Sequence, residues 1–193
     1  NMQETLLRLQ AAYPDGFKGV GADALRLTLL SLNSQAQQVQ LSLHKFEETG
    51  RRFTETLWNA ARFVLSGLAD PVPATVSPAP AAAAARVILG HLDICVRDVR
   101  AAIDTFQFNE AVAAFARFFW DEFCDWYVEL VKSRLRKGGD ADKRRVQLTL
   151  AEAMSSVLRL IHPFTPFITE ELWGHLHPLL SKGGFVADDT VLQ

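Results

Sequence analysis

The 193-residue chain holds two cysteines, two methionines, no excess of either charge and no long apolar run. Each shortage excludes something. Cys95 and Cys124 lie inside helical patterns with no metal-ligand spacing, which reads as buried free thiols of a reducing compartment. A net charge of −2 gives no global pull toward nucleic acid or a membrane surface, so a polyanion site must be a local patch. No apolar stretch reaches the roughly 18 residues of a membrane span, and no membrane partner is expected. There is no nucleophile–base pair and no phosphate loop. His175 and His177, two apart, point to opposite sides of a helix, so no catalytic residue and no metal ligand is assigned. The sequence starts at Asn1 and stops within "DDTVLQ", so it is expected to be an excised piece of a longer chain, in which a missing signal peptide means nothing.

What is present is helix. Apolar residues make up 49% of the chain, enough for a substantial core. They recur at helical spacing in "GADALRLTLLSLN", where Ala24 and Leu27 share a face. The row continues over 44–68 with Phe46, Phe53, Leu57, Ala61, Val64 and Leu68. "ADPVPATVSPAPAAAAA" is a Pro- and Ala-rich linker into a helix over about 80–105. The stripe over 108–137 reads Phe108, Val112, Phe115, Phe119, Phe123, Trp126 and Leu130. "KGGDAD" turns it into 142–161, with Val146, Leu150, Ala153, Val157 and Leu160. Short connections between the later helices favour antiparallel neighbours. The one alternating patch, "QVQLSL" at 38–43, suggests a short extended segment. The expected fold is all-α, an antiparallel helical bundle with short flanking helices.

"LIHPFTPFITEELW", residues 160–173, breaks one helix and starts another. Pro163 disfavours α geometry at His162, Thr165 is a credible N-cap, and Pro166 suits the first helical position. Glu170 and Glu171 then favour the positive end of the helix dipole. Ile168, Leu172, Leu176 and Leu179 stripe the final helix, and "KGG" ends it.

Four stretches, in order, carry a family resemblance: "GADALRLTLLSL", "LWNAARFVL", "FNEAVAAFARFFWDEFCDWYVELVK" and "HPFTPFITEELW". Together they resemble the class I aminoacyl-tRNA synthetases, the valine enzymes most closely, from about residue 13 to about residue 178. The resemblance implies an anticodon-binding bundle at 44–180, a connecting region at 1–43 and a truncated extension at 181–193. The implied partners are a valine-accepting tRNA and the catalytic and editing domains of the parent chain, in the cytoplasm. The family's adenylate-forming site uses His-Ile-Gly-His and Lys-Met-Ser-Lys-Ser segments, and neither occurs here. ATP and Mg therefore belong to the parent catalytic domain, and the fragment alone is expected to catalyse nothing. The chain departs from the valine pattern at Ala36-Gln37-Gln38, where Gly-Arg-Asp is usual, and at Thr56, where Lys is usual. A competing reading is a helical protein-interaction module of a diverged synthetase-like protein.

An anticodon loop offers unstacked bases and phosphates, which recruit aromatic planes and cations. Between 129 and 145 seven cations stand against Glu129, Asp140 and Asp142, a local net charge of +4. Lys132, Arg134, Arg136, Arg144 and Arg145 are the candidate phosphate contacts. On the first bundle helix Arg51, Asn59 and Arg62 are candidates beside them, although Glu47–Arg51 and Glu48–Arg52 also suit i,i+4 ion pairs. Among the aromatics, Trp126 falls on the core stripe, and Tyr127, one step off it, is the candidate base-stacking residue.

Overall fold

Apolar spacing of three and four residues is realised as helix throughout, with no strand among the described residues. The computed structural model describes residues 2–12, 14, 16, 19–32, 43–78 and 83–185. Helix α1 spans Met2–Ala12 and α2 spans Ala22–Ser31. The short α3, Leu43–Lys45, runs through a wider π turn, Phe46–Arg51, into α4, Arg52–Leu68. Then come α5, Ala83–Asp104, and α6, Phe108–Arg117, which continues through a π-wound stretch, Phe118–Val128, into α7, Glu129–Lys137. Helices α8, Asp140–Ile161, and α9, Pro166–Gly183, complete the bundle. The extended segment expected at 38–43 lies outside the described residues except for Leu43, which begins α3.

The expected stripe of α4 is buried in full, from Phe53 to Leu68. Its centre is aromatic: the Phe53 ring lies 5.5 Å from both Phe115 and Phe119 and 5.7 Å from Trp120, while Phe164 of the elbow meets Phe115 at 5.0 Å. Each such ring, fully buried, stabilises the fold by about 1.5–3 kcal/mol. Two glycines let backbones meet. A Cβ on Gly50 would sit 2.1 Å from the Ala24 carbonyl oxygen, so α2 crosses the α3–α4 helix where no side chain intrudes. Gly184, at φ 58°, ends α9 in the left-handed conformation, and the N–H of Phe185 returns to the Leu180 carbonyl at 2.9 Å.

At the elbow Thr165 occupies the N-cap position as expected, but its side chain makes no capping bond. Its hydroxyl donates to the Ile161 carbonyl instead. The cap comes from α2: the Asp23 carboxylate accepts the N–H groups of Phe167 at 3.3 Å and Ile168 at 2.6 Å. Beside it Arg26 donates to the Pro163 and Phe164 carbonyls at 3.0 and 3.4 Å. Two carbonyls of the elbow and the first free N–H groups of α9 are thus satisfied by one α2 face. His162 Nδ1 lies 2.8 Å from the Thr169 hydroxyl. That hydroxyl spends its own hydrogen on the Thr165 carbonyl, so the imidazole must donate to it through Nδ1–H.

The stripe expected over 108–137 holds as far as Phe123 and then slips by one residue. Trp126 is 39% exposed and Leu130 40%, whereas Tyr127 is 1% exposed and Val131 2%. Winding explains the slip. Phe115, Phe119, Phe123, Tyr127 and Val131 recur every four residues, and in an α-helix each such step overshoots a full turn by about 40°. The wider π winding cancels that drift and keeps the row aligned on the core. Tyr127 is thus packed in the core, while Trp126 is turned outward.

Candidate nucleic-acid interface

The elbow end of the bundle is closed by the contacts above. At the other end, where α4 stops and α7 turns into α8, a groove of about 570 Å³ opens. One wall is the C-terminal half of α4 with the segment just beyond it: Phe63, Ser66, Gly67 and Asp70. The other is the α7–α8 hairpin, with Lys132, Leu135, Arg136, Lys143 and Gln147. Helix spacing explains the grouping, since Lys132 and Arg136 are one turn apart and Leu135 shares their side. Phe63 and Leu135 give the lining apolar faces, and Lys132, Arg136 and Lys143 give it cations. Lys132 pairs with Glu129 on its own helix, whereas Lys143 has no ion pair among the described residues. The Arg136 guanidinium only approaches the Lys132 carbonyl, at 3.4 Å.

Two interior side chains hold this end together. Gln147, 3% exposed, donates through Nε2 to the Gly67 and Asp70 carbonyls at 3.0 and 2.9 Å and accepts the Val72 N–H at 3.0 Å. It thereby satisfies the carbonyl end of α4, which no residue of α4 can reach. Arg144, 4% exposed, donates to the carbonyls of Val72 at 3.2 Å, Gly183 at 2.7 Å and Gly184 at 3.2 Å. Its guanidinium lies 4.6 Å over the Phe185 ring. Among the described residues this buried cation has no carboxylate partner; three carbonyls hold it, two of them at the negative end of the α9 dipole.

Several sequence expectations change accordingly. Arg144 is removed from the phosphate-contact set, because its donors are spent on backbone carbonyls inside the fold. Tyr127 is removed as a base-stacking residue, because its ring is packed in the core, and burial raises its phenol pKa above the ordinary value. Lys132 and Arg136 do meet in the groove. Arg134 is exposed on the same helix and Arg145 is half-buried on α8. Asn59 and Arg62 are both exposed on α4. Arg51 stands apart at the opposite end of α4, ion-paired with Glu55 at 2.9 Å. The expected Glu47–Arg51 pairing is absent among the described ion pairs, and the π turn at 46–51 explains it by displacing i,i+4 neighbours.

Two residues of this surface, Gln147 and Asp70, escaped the sequence reading. Gln147 and Arg144 fall on the α8 apolar row when it is extended backward from Leu150 in steps of three, a signal of burial that their polarity hid. Trp58, 40% exposed, sits in a shallow cleft with Asn59 and Ile168 and is the exposed aromatic of α4. Asp70 is the carboxylate that lines the groove. Neither thiol is activated as a nucleophile: burial, with Asp98 and Glu122 adding to it, pushes the Cys95 thiol up to about 12, and burial beside Asp125 does the same to Cys124. Among the described residues no group of His, Cys, Asp or Glu is placed to hold a metal ion, and no helix is long and apolar enough to cross a membrane.

The family described as the anticodon-binding domain of tRNA ligase matches residues 85–189. A valine–tRNA ligase of Geobacter sulfurreducens is 40% identical over 155 residues, 79% of this chain and 17% of that protein. One of Dehalococcoides mccartyi is 41% identical over 162 residues, 84% of this chain and 18% of that protein. The chain thus spans less than a fifth of the length of these relatives. In solved structures its fold is shared with the LeuRS chain of a ternary LeuRS–tRNA–LeuAMS complex from Agrobacterium radiobacter K84, with a TM-score of 0.59 and 24% identity over 81% of this chain and 18% of that one. With the family match covering more than half of its residues, this chain belongs to the anticodon-binding domains of tRNA ligases.

Proposed function

We propose that this bundle is the tRNA-binding module of a valine–tRNA ligase, holding the anticodon stem-loop of a valine-accepting tRNA and catalysing nothing alone. The observation that carries the reading is the groove between α4 and the α7–α8 hairpin, lined by the apolar Phe63 and Leu135 together with Lys132, Arg136 and Lys143. A single-stranded loop needs that combination, with faces for bases and cations for the phosphates between them. Arg62, Asn59 and Trp58 extend the surface along α4, and Arg134 and Arg145 flank its cationic side.

In the whole ligase, activation of valine with ATP and Mg belongs to the catalytic domain, and editing to a further domain. The residues here do not suit ATP, since neither signature segment of the adenylate site occurs in the sequence. The whole enzyme works in the cytoplasm.

Fluorescence anisotropy with a valine-accepting tRNA at two ionic strengths tests this. With about four phosphates neutralised, log affinity should fall with log salt at a slope of about −3. Undetectable binding at low salt, or equal binding to an unrelated acidic polymer, would defeat the reading and favour a protein-interaction module.

A further inference from the structure

Asp70 is out of place on electrostatic grounds. It stands two residues beyond the C-terminus of α4, where a carboxylate opposes the helix dipole, and it lines a groove whose other charges are Lys132, Arg136 and Lys143. Among the described residues its carboxylate forms no hydrogen bond and no ion pair, although its backbone carbonyl is fixed by Gln147 at 2.9 Å. The segment is therefore anchored while the acceptor is left free. The same groove is lined by Phe63 and Leu135, and Gly67 keeps it open: a Cβ there would press to 3.2 Å from the Leu135 side chain. The volume, about 570 Å³, lies in the range of small-ligand pockets, which suits one nucleotide turned out of a loop.

We infer that Asp70 selects the base of a single extruded nucleotide in this groove, admitting bases with an exocyclic amine and excluding uracil. This rests on the tRNA-binding reading above. A carboxylate only accepts hydrogen bonds. Guanine offers it N1–H and the 2-amine, cytosine its 4-amine and adenine its 6-amine. Uracil instead presents two carbonyl oxygens flanking one N–H, which repel the carboxylate. The base lies against Phe63 and Leu135, and the flanking phosphates meet Lys132, Arg136 and Lys143. The cations serve phosphates of any sequence, and the neighbouring Ser66 hydroxyl can both donate and accept, so the Asp70 carboxylate, an acceptor only, is the groove's discriminating group.

The test uses a tRNA-type hairpin whose loop positions are replaced by uridine one at a time, with affinity measured by anisotropy for the 193-residue chain. For the unaltered chain, uridine at one position should weaken binding about tenfold. Asp70→Asn, whose amide donates to a uracil carbonyl, should bring that penalty to within about twofold, with the salt slope unchanged. Asp70→Ala should relax the discrimination without favouring uridine. Circular dichroism checks that both variants keep their helicity, which the exposed position favours. If the uridine penalties are the same in all three proteins, Asp70 selects nothing and the inference falls while the tRNA-binding reading stands. If no hairpin is bound by the unaltered chain, both fall.

Discussion

At the elbow end Asp23 accepts two backbone N–H groups of α9 and Arg26 donates to two carbonyls before it. At the groove end Asp70 and Lys143 carry the same kinds of charge and engage no side chain among the described residues. The two ends differ in what backbone arrives beside them. A helix break leaves unpaired N–H and C=O groups, and a carboxylate or guanidinium brought to them becomes structural. Where Gln147 and Arg144 have already satisfied those groups from inside, the charges beyond them stay available for a ligand. Charge of one sign in the sequence therefore says little about role until the backbone partners are known.

That comparison can be broken by substitution, starting with the strongest structural tie. Arg144→Gln should remove about 3 kcal/mol of stability, because it strands buried carbonyls of Val72 and the α9 terminus. Urea denaturation measures this, and a loss below about 1 kcal/mol would mean that Arg144 is not the tie described. At the elbow, Asp23→Ala should cost about 1–2 kcal/mol as a lost helix cap, with tRNA affinity of the folded protein unchanged. A variant that keeps its stability would show that the α9 terminus is satisfied by water instead. The smallest effect on stability belongs to the groove rim. Lys132→Gln, Arg136→Gln and Lys143→Gln together should move the unfolding free energy by less than about 0.5 kcal/mol, yet flatten the salt slope of tRNA binding by about 2. Unchanged affinity in that folded variant would place the phosphates elsewhere.

Much of this was legible in the sequence. The helices, the linker, the elbow with Pro166 at its first helical position and the buried row of α4 all follow from local spacing. The misreadings came from two sources. Tyr127 and Trp126 exchange roles because a strict four-residue repeat was read with the α-helical period, although the repeat itself was visible. Arg144 looked like one cation among seven because nothing near it in the chain signals the carbonyls that meet it.

The amino-acid order by itself settled which segments are helical, which faces are apolar and which family the chain resembles. Those are properties of residues three or four positions apart, whose geometry the helix dictates. Only the tertiary structure decided which polar side chains are structural and which are free. Val72 is 72 positions from Arg144, Gly67 is 80 from Gln147, and Ile168 is 145 from Asp23. A buried hydrogen bond depends on the group that packing brings opposite, and no local period encodes that.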